Sequence, residues 1–210
     1  MLNRRRFLTA LGTTAVVTSS PKLLATDFSQ GKHYKAVPNP KSDQSNKATE
    51  FFYYGCSHCY DLEDSVHQWR QDKPDAVTFE RVPAVLDNAN WVFMAHVFYT
   101  AKFLGIEDAF HRAYFDALHR DRKQVFSVDA LASFVEPMGV TAKDYKAKFD
   151  SFQVKSAVSQ ARQLTNDYGI NGVPAMVVNG QWLTDVPMAG SHKNLWAVVD
   201  MLLQKSSASK

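Results

Sequence analysis

The chain contains 210 residues, which is enough to bury a sizeable core in one domain or in one domain with an insertion. With 45% hydrophobic and 21% charged residues, its composition argues against intrinsic disorder. No apolar run approaches the roughly 18 residues of a membrane-spanning helix. The 24 Lys and Arg residues outnumber the 21 Asp and Glu residues, but this positive charge is unevenly distributed along the chain.

The first 25 residues have the layout of a secretory signal peptide. Three arginines at positions 4–6 precede a moderately apolar run at 7–17, and the small residue Ala25 marks the expected cleavage point. Residues 4–8 also resemble a twin-arginine export signal, so the general secretory route and the twin-arginine route both stay open. Removing this segment leaves a net charge of −1, and we therefore expect no nucleic-acid binding. We predict an exported protein in an oxidising compartment.

The only two cysteines of the chain, Cys56 and Cys59, are spaced as C-x-x-C between a predicted strand and a predicted helix. The aromatic run at residues 49–54 is typical of a buried strand, and Gly55 ends it. Apolar residues then recur at helical spacing, at Leu62, Val66 and Trp69. This order places Cys56 at a helix N-terminus, where free N–H groups and the helix dipole stabilise a thiolate.

A C-x-x-C pattern at the start of a helix is typical of a redox-active dithiol. We expect Cys56 to be the exposed nucleophile and Cys59, one turn later, to be more buried and to resolve the mixed disulfide. His58 lies inside the motif, where its ring can donate a hydrogen bond or a positive charge to the thiolate. A zinc site lacks further ligands at a suitable spacing, and a structural disulfide closing so short a loop would stabilise the fold little. We expect neither a metal ion nor a cofactor.

The rest of the chain alternates between strand and helix patterns. Residues 77–83 have the pattern of a strand that ends at a proline, and residues 90–168 are strongly helical, with apolar stripes that we assign to the core. Ser127 is an expected helix N-cap within this block.

Strand character returns at residues 172–178. The dipeptide Asn179-Gly180 predicts a hairpin turn into a returning strand at 181–184. The chain then closes with an amphipathic helix for which Ser191 is an available N-cap.

Together these features resemble the DsbA-type thiol:disulfide oxidoreductases of the bacterial periplasm, which belong to the thioredoxin superfamily. The resemblance covers roughly residues 30–205 in element order, and its specific content is the motif with the upstream Glu50 and the loop at 172–175. It implies an α/β fold in which an all-helical domain interrupts a thioredoxin domain. We accordingly predict a signal peptide at 1–25, the first part of the thioredoxin domain at 26–88, the helical insertion at 89–168 and the second part of the thioredoxin domain at 169–210.

The resemblance also implies roles for residues outside the motif. A proline at the entrance to a strand is unusual because it removes a ladder donor; by resemblance, Val173-Pro174 is a cis bond facing the cysteines, and the Val173 backbone pairs with an extended substrate chain. Glu50 matches the buried acid beneath the second cysteine, where it would accept the proton of Cys59. The alternative for Glu50 is an exposed side chain at a strand end. Ser57 stands where the best-known members carry proline, which leaves the oxidising strength open.

By the same resemblance, the protein donates disulfides to reduced exported proteins in the periplasm, and a DsbB-type quinone-linked membrane protein re-oxidises it. We expect a monomer. One alternative is a disulfide isomerase or reductase, although the known periplasmic isomerases resembling this fold carry an additional dimerisation domain, for which too few residues precede the motif. The other alternative is a peptide-binding chaperone in which the C-x-x-C is only a staple, with Tyr53, Tyr54 and Tyr60 suited to contact the peptide.

Overall fold

A five-stranded mixed sheet organises the structure, a computed structural model that describes residues 27–207. The strands are β1 (Lys35–Ala36), β2 (Lys47–Phe52), β3 (Thr78–Pro83), β4 (Ala175–Val178) and β5 (Trp182–Asp185). The α-helices of this part of the chain are α1 (Ser57–Asp72), α2 (Ala89–Phe103), α3 (Glu107–His119), α4 (Val128–Val135), α5 (Ala142–Phe149), α6 (Phe152–Asp167), α7 (Val186–Ala189) and α8 (His192–Ser207). The predicted signal peptide lies outside the described residues. Between residues 27 and 207, no helix combines the length and the apolar character needed to cross a membrane.

The aromatic run before the motif forms β2, an interior strand of this sheet. The strand order is β1-β5-β4-β2-β3, with β2 parallel to β3 and antiparallel to β4. Five of the six residues of β2 are buried, as expected for a strand with a neighbour on each side and helices on both faces. Parallel strands need a crossover connection, and α1 supplies it between β2 and β3. The start of α1 is therefore fixed at one end of a buried interior strand.

The second strand pair is closed by the predicted hairpin. Asn179 and Gly180 both adopt positive φ angles, 54° and 63°, and they connect the antiparallel strands β4 and β5. The N–H of Gln181 closes the turn by donating to the carbonyl oxygen of Val178 at 3.0 Å. The returning strand therefore begins at Trp182, one residue later than predicted.

The segment between β3 and β4 is helical, which confirms an α/β architecture with an all-helical insertion. It contains α2 to α6 and a short 3-10 helix, Glu136–Met138. Both predicted N-caps are confirmed, because the hydroxyl oxygens of Ser127 and Ser191 accept the N–H groups of Ala130 and Asn194. The sequence did not predict β1 and α7, which have two and four residues and are too short to show a periodic pattern. The boundaries of the domains stay predictions.

Two hydrophobic clusters flank α1. The first contains Phe51, Phe52 and Cys59 together with the inward sides of α2 to α6. The second joins α1 and α8 to the sheet, and its members include Ala48, Leu62, Val66, Trp69, Val178, Leu195, Val198, Val199 and Leu202. This confirms the predicted apolar faces of the first and last helices. Helix α1 thus carries Cys59 toward one cluster and its later apolar residues toward the other.

Candidate functional site

The two cysteines occupy the first turn of α1 with very different exposure. Cys56 is the N-cap, with an extended backbone (φ −94°, ψ 117°), and its N–H donates to the carbonyl oxygen of Tyr53 at 3.0 Å. Cys56 is partly exposed, whereas Cys59 has 0% exposure. The predicted difference in burial is therefore confirmed. The predicted strand ends earlier than expected, at Phe52, because the backbone turns at Tyr53 to bring Cys56 to the helix end.

The surroundings of the two sulfurs set their protonation states apart. The pKa of Cys56 is lowered from 9.0 to about 6. The largest cause is a hydrogen bond from the Cys59 thiol; the backbone N–H groups of Cys59 and His58 and the charge of His58 contribute less, and burial opposes the shift. Burial, followed by the hydrogen bond to Cys56 and the negative charge of its thiolate, raises the pKa of Cys59 well above its usual value. At neutral pH the reduced site therefore holds a thiolate at Cys56 and a thiol at Cys59.

His58 is exposed, and its ring charge is the smallest of these contributions to the pKa of Cys56. The sequence reasoning named His58 and the helix N–H groups, but it missed the Cys59 thiol as a hydrogen-bond donor to the thiolate. That donor follows from the C-x-x-C spacing, because residues i and i+3 meet on one side of a helix turn.

The loop before β4 approaches the exposed sulfur. Val173-Pro174 is a cis peptide bond, and the carbonyl oxygen of Val173 lies 3.5 Å from Cys56 Sγ. A groove of about 450 Å³ runs beside it. The lining residues include His58, Gly172, Val173, Pro174, Val186 and His192. The structure thus brings the motif and the Val173-Pro174 loop together, although Cys56 and Val173 are 117 residues apart in sequence.

Glu50 lies behind the motif, with 0% exposure, so the alternative of an exposed strand-end glutamate is wrong. Its Oε2 accepts from Arg81 Nε at 3.0 Å, and its Oε1 has no hydrogen-bond partner among the described residues. The negative charge of Glu50 contributes to the raised pKa of Cys59. Burial raises the pKa of Glu50 itself, against the opposing charge of Arg81. The predicted acid is therefore buried, and its role as proton acceptor for Cys59 stays a prediction.

Glu50 belongs to a buried charge cluster that the sequence did not predict. Arg81 Nη2 donates to both carboxylate oxygens of Glu63, at 2.9 Å to Oε2 and 3.2 Å to Oε1, and a ring nitrogen of His111 lies 3.1 Å from Glu63 Oε1. Glu63 stands one turn after Cys59 on α1 and Arg81 lies in β3, and neither position carries a sequence signal that indicates a buried ion pair. Among residues 27–207, no group of three or more His, Cys, Asp or Glu residues is placed to hold a metal ion.

The three tyrosines considered for peptide contact are in different environments. Tyr54 has 0% exposure and its hydroxyl contacts His111, so it is not available to a peptide, contrary to the prediction. Tyr53 is half-buried and stacks on Trp91 with ring centroids 4.1 Å apart. Tyr60 is also partly exposed and donates to Asp116 Oδ1 at 2.9 Å. Only Tyr53 and Tyr60 therefore contribute to the surface around the motif.

Comparisons with known proteins agree with one another. Residues 48–195 match a family model described as a DSBA-like thioredoxin domain. The thiol:disulfide interchange protein DsbA of Azotobacter vinelandii is 34% identical over 199 residues, which cover 93% of this chain and 92% of the relative. A crystal structure of Pseudomonas aeruginosa DsbA is similar with a TM-score of 0.81 and 31% identity, covering 88% of this chain and 97% of that chain. A complex of a Proteus mirabilis DsbA variant with a non-covalently bound peptide, PWATCDS, is similar with a TM-score of 0.72 and 28% identity, covering 85% of this chain and 99% of that one.

Proposed function

The chain belongs to the DsbA-like thioredoxin family and is a thiol:disulfide oxidoreductase, and we propose that it donates disulfides to reduced exported proteins in the bacterial periplasm. The observation that carries this direction of transfer is the protonation difference between the two sulfurs. A stabilised thiolate is a good leaving group and favours the dithiol state. Because the pKa of Cys56 is lowered to about 6, the disulfide form gives up its bond readily.

Disulfide donation proceeds in two exchange steps. A substrate thiolate attacks Cys56 Sγ of the Cys56–Cys59 disulfide, the S–S bond breaks, and Cys59 leaves and takes up a proton. A second substrate thiolate then attacks the substrate sulfur of the mixed disulfide, and Cys56 leaves as a thiolate. The substrate loses two electrons and gains a disulfide, while the enzyme gains two electrons as a dithiol. One proton stays on Cys59, and the other goes to solvent above about pH 6.

Glu50 serves as the proton donor and acceptor for Cys59. Its complete burial, its unpartnered Oε1 and the effect of its charge on the pKa of Cys59 support this role. A carboxylate whose pKa is raised by burial exchanges a proton with a thiol more easily near neutral pH than an ordinary carboxylate does.

The Val173-Pro174 loop and the adjacent groove receive the substrate chain. An extended segment that pairs with the Val173 backbone would place its cysteine at Cys56, since the Val173 carbonyl oxygen lies 3.5 Å from Cys56 Sγ. The peptide bound to the Proteus mirabilis relative is consistent with this use of the fold. Re-oxidation is assigned to a DsbB-type quinone-linked membrane protein, and the signal peptide proposed at residues 1–25 would direct this chain to the periplasm.

The direction of transfer is tested by equilibrating the dithiol and disulfide forms with glutathione. We expect a potential well above the roughly −270 mV typical of thioredoxin; a value close to thioredoxin's would remove the donor assignment. In parallel, the oxidised protein should introduce a disulfide into a reduced unfolded substrate in a single turnover. Cys56→Ser should abolish this transfer, and undiminished function in that variant would favour the peptide-binding chaperone. Isomerisation of a scrambled substrate that requires the reduced protein would instead favour an isomerase.

A further inference from the structure

His111 of α3 is buried, with 3% exposure, between strand β2 and helix α1. Its Nδ1 lies 3.0 Å from Tyr54 Oη, and its Nε2 lies 3.1 Å from Glu63 Oε1. Burial and the nearby charge of Arg81 hold the pKa of His111 well below its usual 6.5, so the ring is neutral and has one donor and one acceptor nitrogen. A carboxylate can only accept, so Nε2–H donates to Glu63, and Tyr54 donates its hydroxyl to Nδ1.

This arrangement makes the two buried carboxylates unequal. Both oxygens of Glu63 accept hydrogen bonds, Oε1 from His111 and Arg81 and Oε2 from Arg81. Glu50 accepts a hydrogen bond from Arg81 at Oε2 only, and no described residue bonds its Oε1. Hydrogen bonds to a carboxylate favour its ionised form. Burial raises the pKa of Glu63, and the charge of Arg81 together with the hydrogen bonds to both of its oxygens opposes this, so Glu63 serves as the counter-ion of Arg81. Glu50 keeps one oxygen free to take a proton.

We infer that His111 is a positioning residue for the dithiol reaction: by holding Glu63 ionised against Arg81, it leaves Glu50 as the carboxyl group that exchanges a proton with Cys59. The inference rests on the proposed role of Glu50. It assigns to the helical insertion a part in the chemistry of the motif, because α3 adds to Glu63 a hydrogen bond for which Glu50 has no counterpart.

Other ionisable groups surround this cluster and belong to the same electrostatic system. A pocket of about 360 Å³ opens beside Glu63, Arg81 and His111. Its remaining charged and titratable lining residues are His67 and Arg70 from α1 and Glu107, Asp108 and Arg112 from α3. Replacing His111 by leucine removes its hydrogen bonds to both Tyr54 and Glu63, so a Tyr54→Phe variant is needed to separate the two contacts.

Losing the His111 contact should weaken Glu50 as a base. Without the Nε2–H donor, Glu63 becomes easier to protonate. The negative charge of Glu63 raises the pKa of Glu50, so a neutral Glu63 makes Glu50 easier to ionise. Glu50 then stays ionised to lower pH and accepts the Cys59 proton less well. Replacing Glu63 by glutamine produces the same neutral neighbour directly, so His111→Leu and Glu63→Gln should change the reaction in the same way.

The experiment follows the step in which Cys59 must lose its proton. Reduced protein is mixed with glutathione disulfide, and the mixed disulfide between Cys56 and glutathione is allowed to close to the Cys56–Cys59 disulfide with release of glutathione. The rate of this closure is recorded against pH by acid quenching and mass analysis. We expect His111→Leu and Glu63→Gln to lower the apparent pKa of the rate profile by about one pH unit, the shift that corresponds to losing one hydrogen bond to a charged group. His111→Gln, whose amide can still donate to Glu63, should restore much of the native profile.

Two controls separate this inference from a structural effect and from failure of the proposed function. Tyr54→Phe removes the other hydrogen bond of His111 but keeps the donor to Glu63, so its rate profile should match that of the unmodified protein. A shift in Tyr54→Phe equal to that in His111→Leu would indicate general loosening of the cluster and overturn the inference. If Glu50→Gln leaves the profile unchanged, the assigned role of Glu50 fails. If Glu50→Gln removes the ionisation while His111→Leu and Glu63→Gln leave it unchanged, only the inference about His111 fails.

Discussion

The reduced protein should lose stability in acid because Cys56 becomes protonated. In the folded chain the pKa of Cys56 is lowered from 9.0 to about 6, so the folded state releases this proton at a lower pH than the unfolded chain does. A depressed pKa contributes stability that is complete above the unfolded value and is lost as the pH falls through the folded value. The affected window therefore runs from about pH 9 down to about pH 5, and the disulfide form has no such contribution.

The size of the effect follows from the span between the two pKa values. The full difference of about three pH units corresponds to about 4 kcal/mol, which is reached only above the unfolded pKa. At pH 7 about one unit is realised, or about 1.4 kcal/mol, and at pH 5 almost none. Because the Cys56 side chain is partly exposed, solvent screening reduces the expected value at pH 7 to about 1 kcal/mol.

Urea unfolding of the reduced protein at pH 5 and pH 7 measures this free energy. Other groups also titrate in this range, so the same pair of measurements is made on Cys56→Ser, which keeps the size of the side chain and removes the thiolate. The reduced unmodified protein should gain about 1 kcal/mol more than the variant between the two pH values. An equal change in both proteins would refute the stabilised thiolate and, with it, the physical reason given for disulfide donation.

Two further predictions concern the backbone around the site and the sheet. A Cβ at Gly55 would lie 2.5 Å from the Tyr53 ring, so Gly55→Ala should lower the free energy of unfolding in urea by about 1–3 kcal/mol. Gly172→Ala is the matched control and should lower it less, because no atom lies within 4 Å of the added Cβ. The Asn179 amide donates to the buried carbonyl of Leu202 at 3.1 Å. Asn179→Gly keeps a residue that tolerates the positive φ but loses this hydrogen bond, so the free energy of unfolding should fall by about 1–3 kcal/mol. Equal stabilities within either comparison would contradict the packing and hydrogen-bond reasoning.

The parts of the site that lie close together in sequence were predictable because local rules determine them. Cys56 follows a buried strand and a turn glycine and precedes an amphipathic helix, so it must lie at the helix N-terminus. The i, i+3 spacing then puts Cys59 on the buried side of the helix. The hairpin at Asn179 followed from the same kind of rule, since few residue types adopt a positive φ at low cost.

The partners of Glu50 were not predictable from local rules. Strand alternation puts Arg81 on the same face as Phe79, but it does not say which groups would neutralise a charge there; Arg81 is 8% exposed and lies between two carboxylates. Its contacts depend on the parallel register that sets Glu50 opposite Arg81 on neighbouring strands. That register results from the tertiary fold, and a charge pattern read along one strand carries no information about it.

The tuning of Cys56 shows why sequence proximity was an incomplete guide. His58 is next to the motif centre and was the natural candidate to stabilise the thiolate, but its charge contributes less than the Cys59 thiol and the helix N–H groups. Hydrogen-bond donors in direct contact act at short range, whereas the charge of an exposed ring is screened by water. Ser57 changes neither the Cys59 thiol nor the N–H groups of Cys59 and His58, all of which remain in place with serine at that position. The lowered pKa of Cys56 therefore does not require a proline between the cysteines, because the Cys59 thiol and the N–H groups at the helix start account for it.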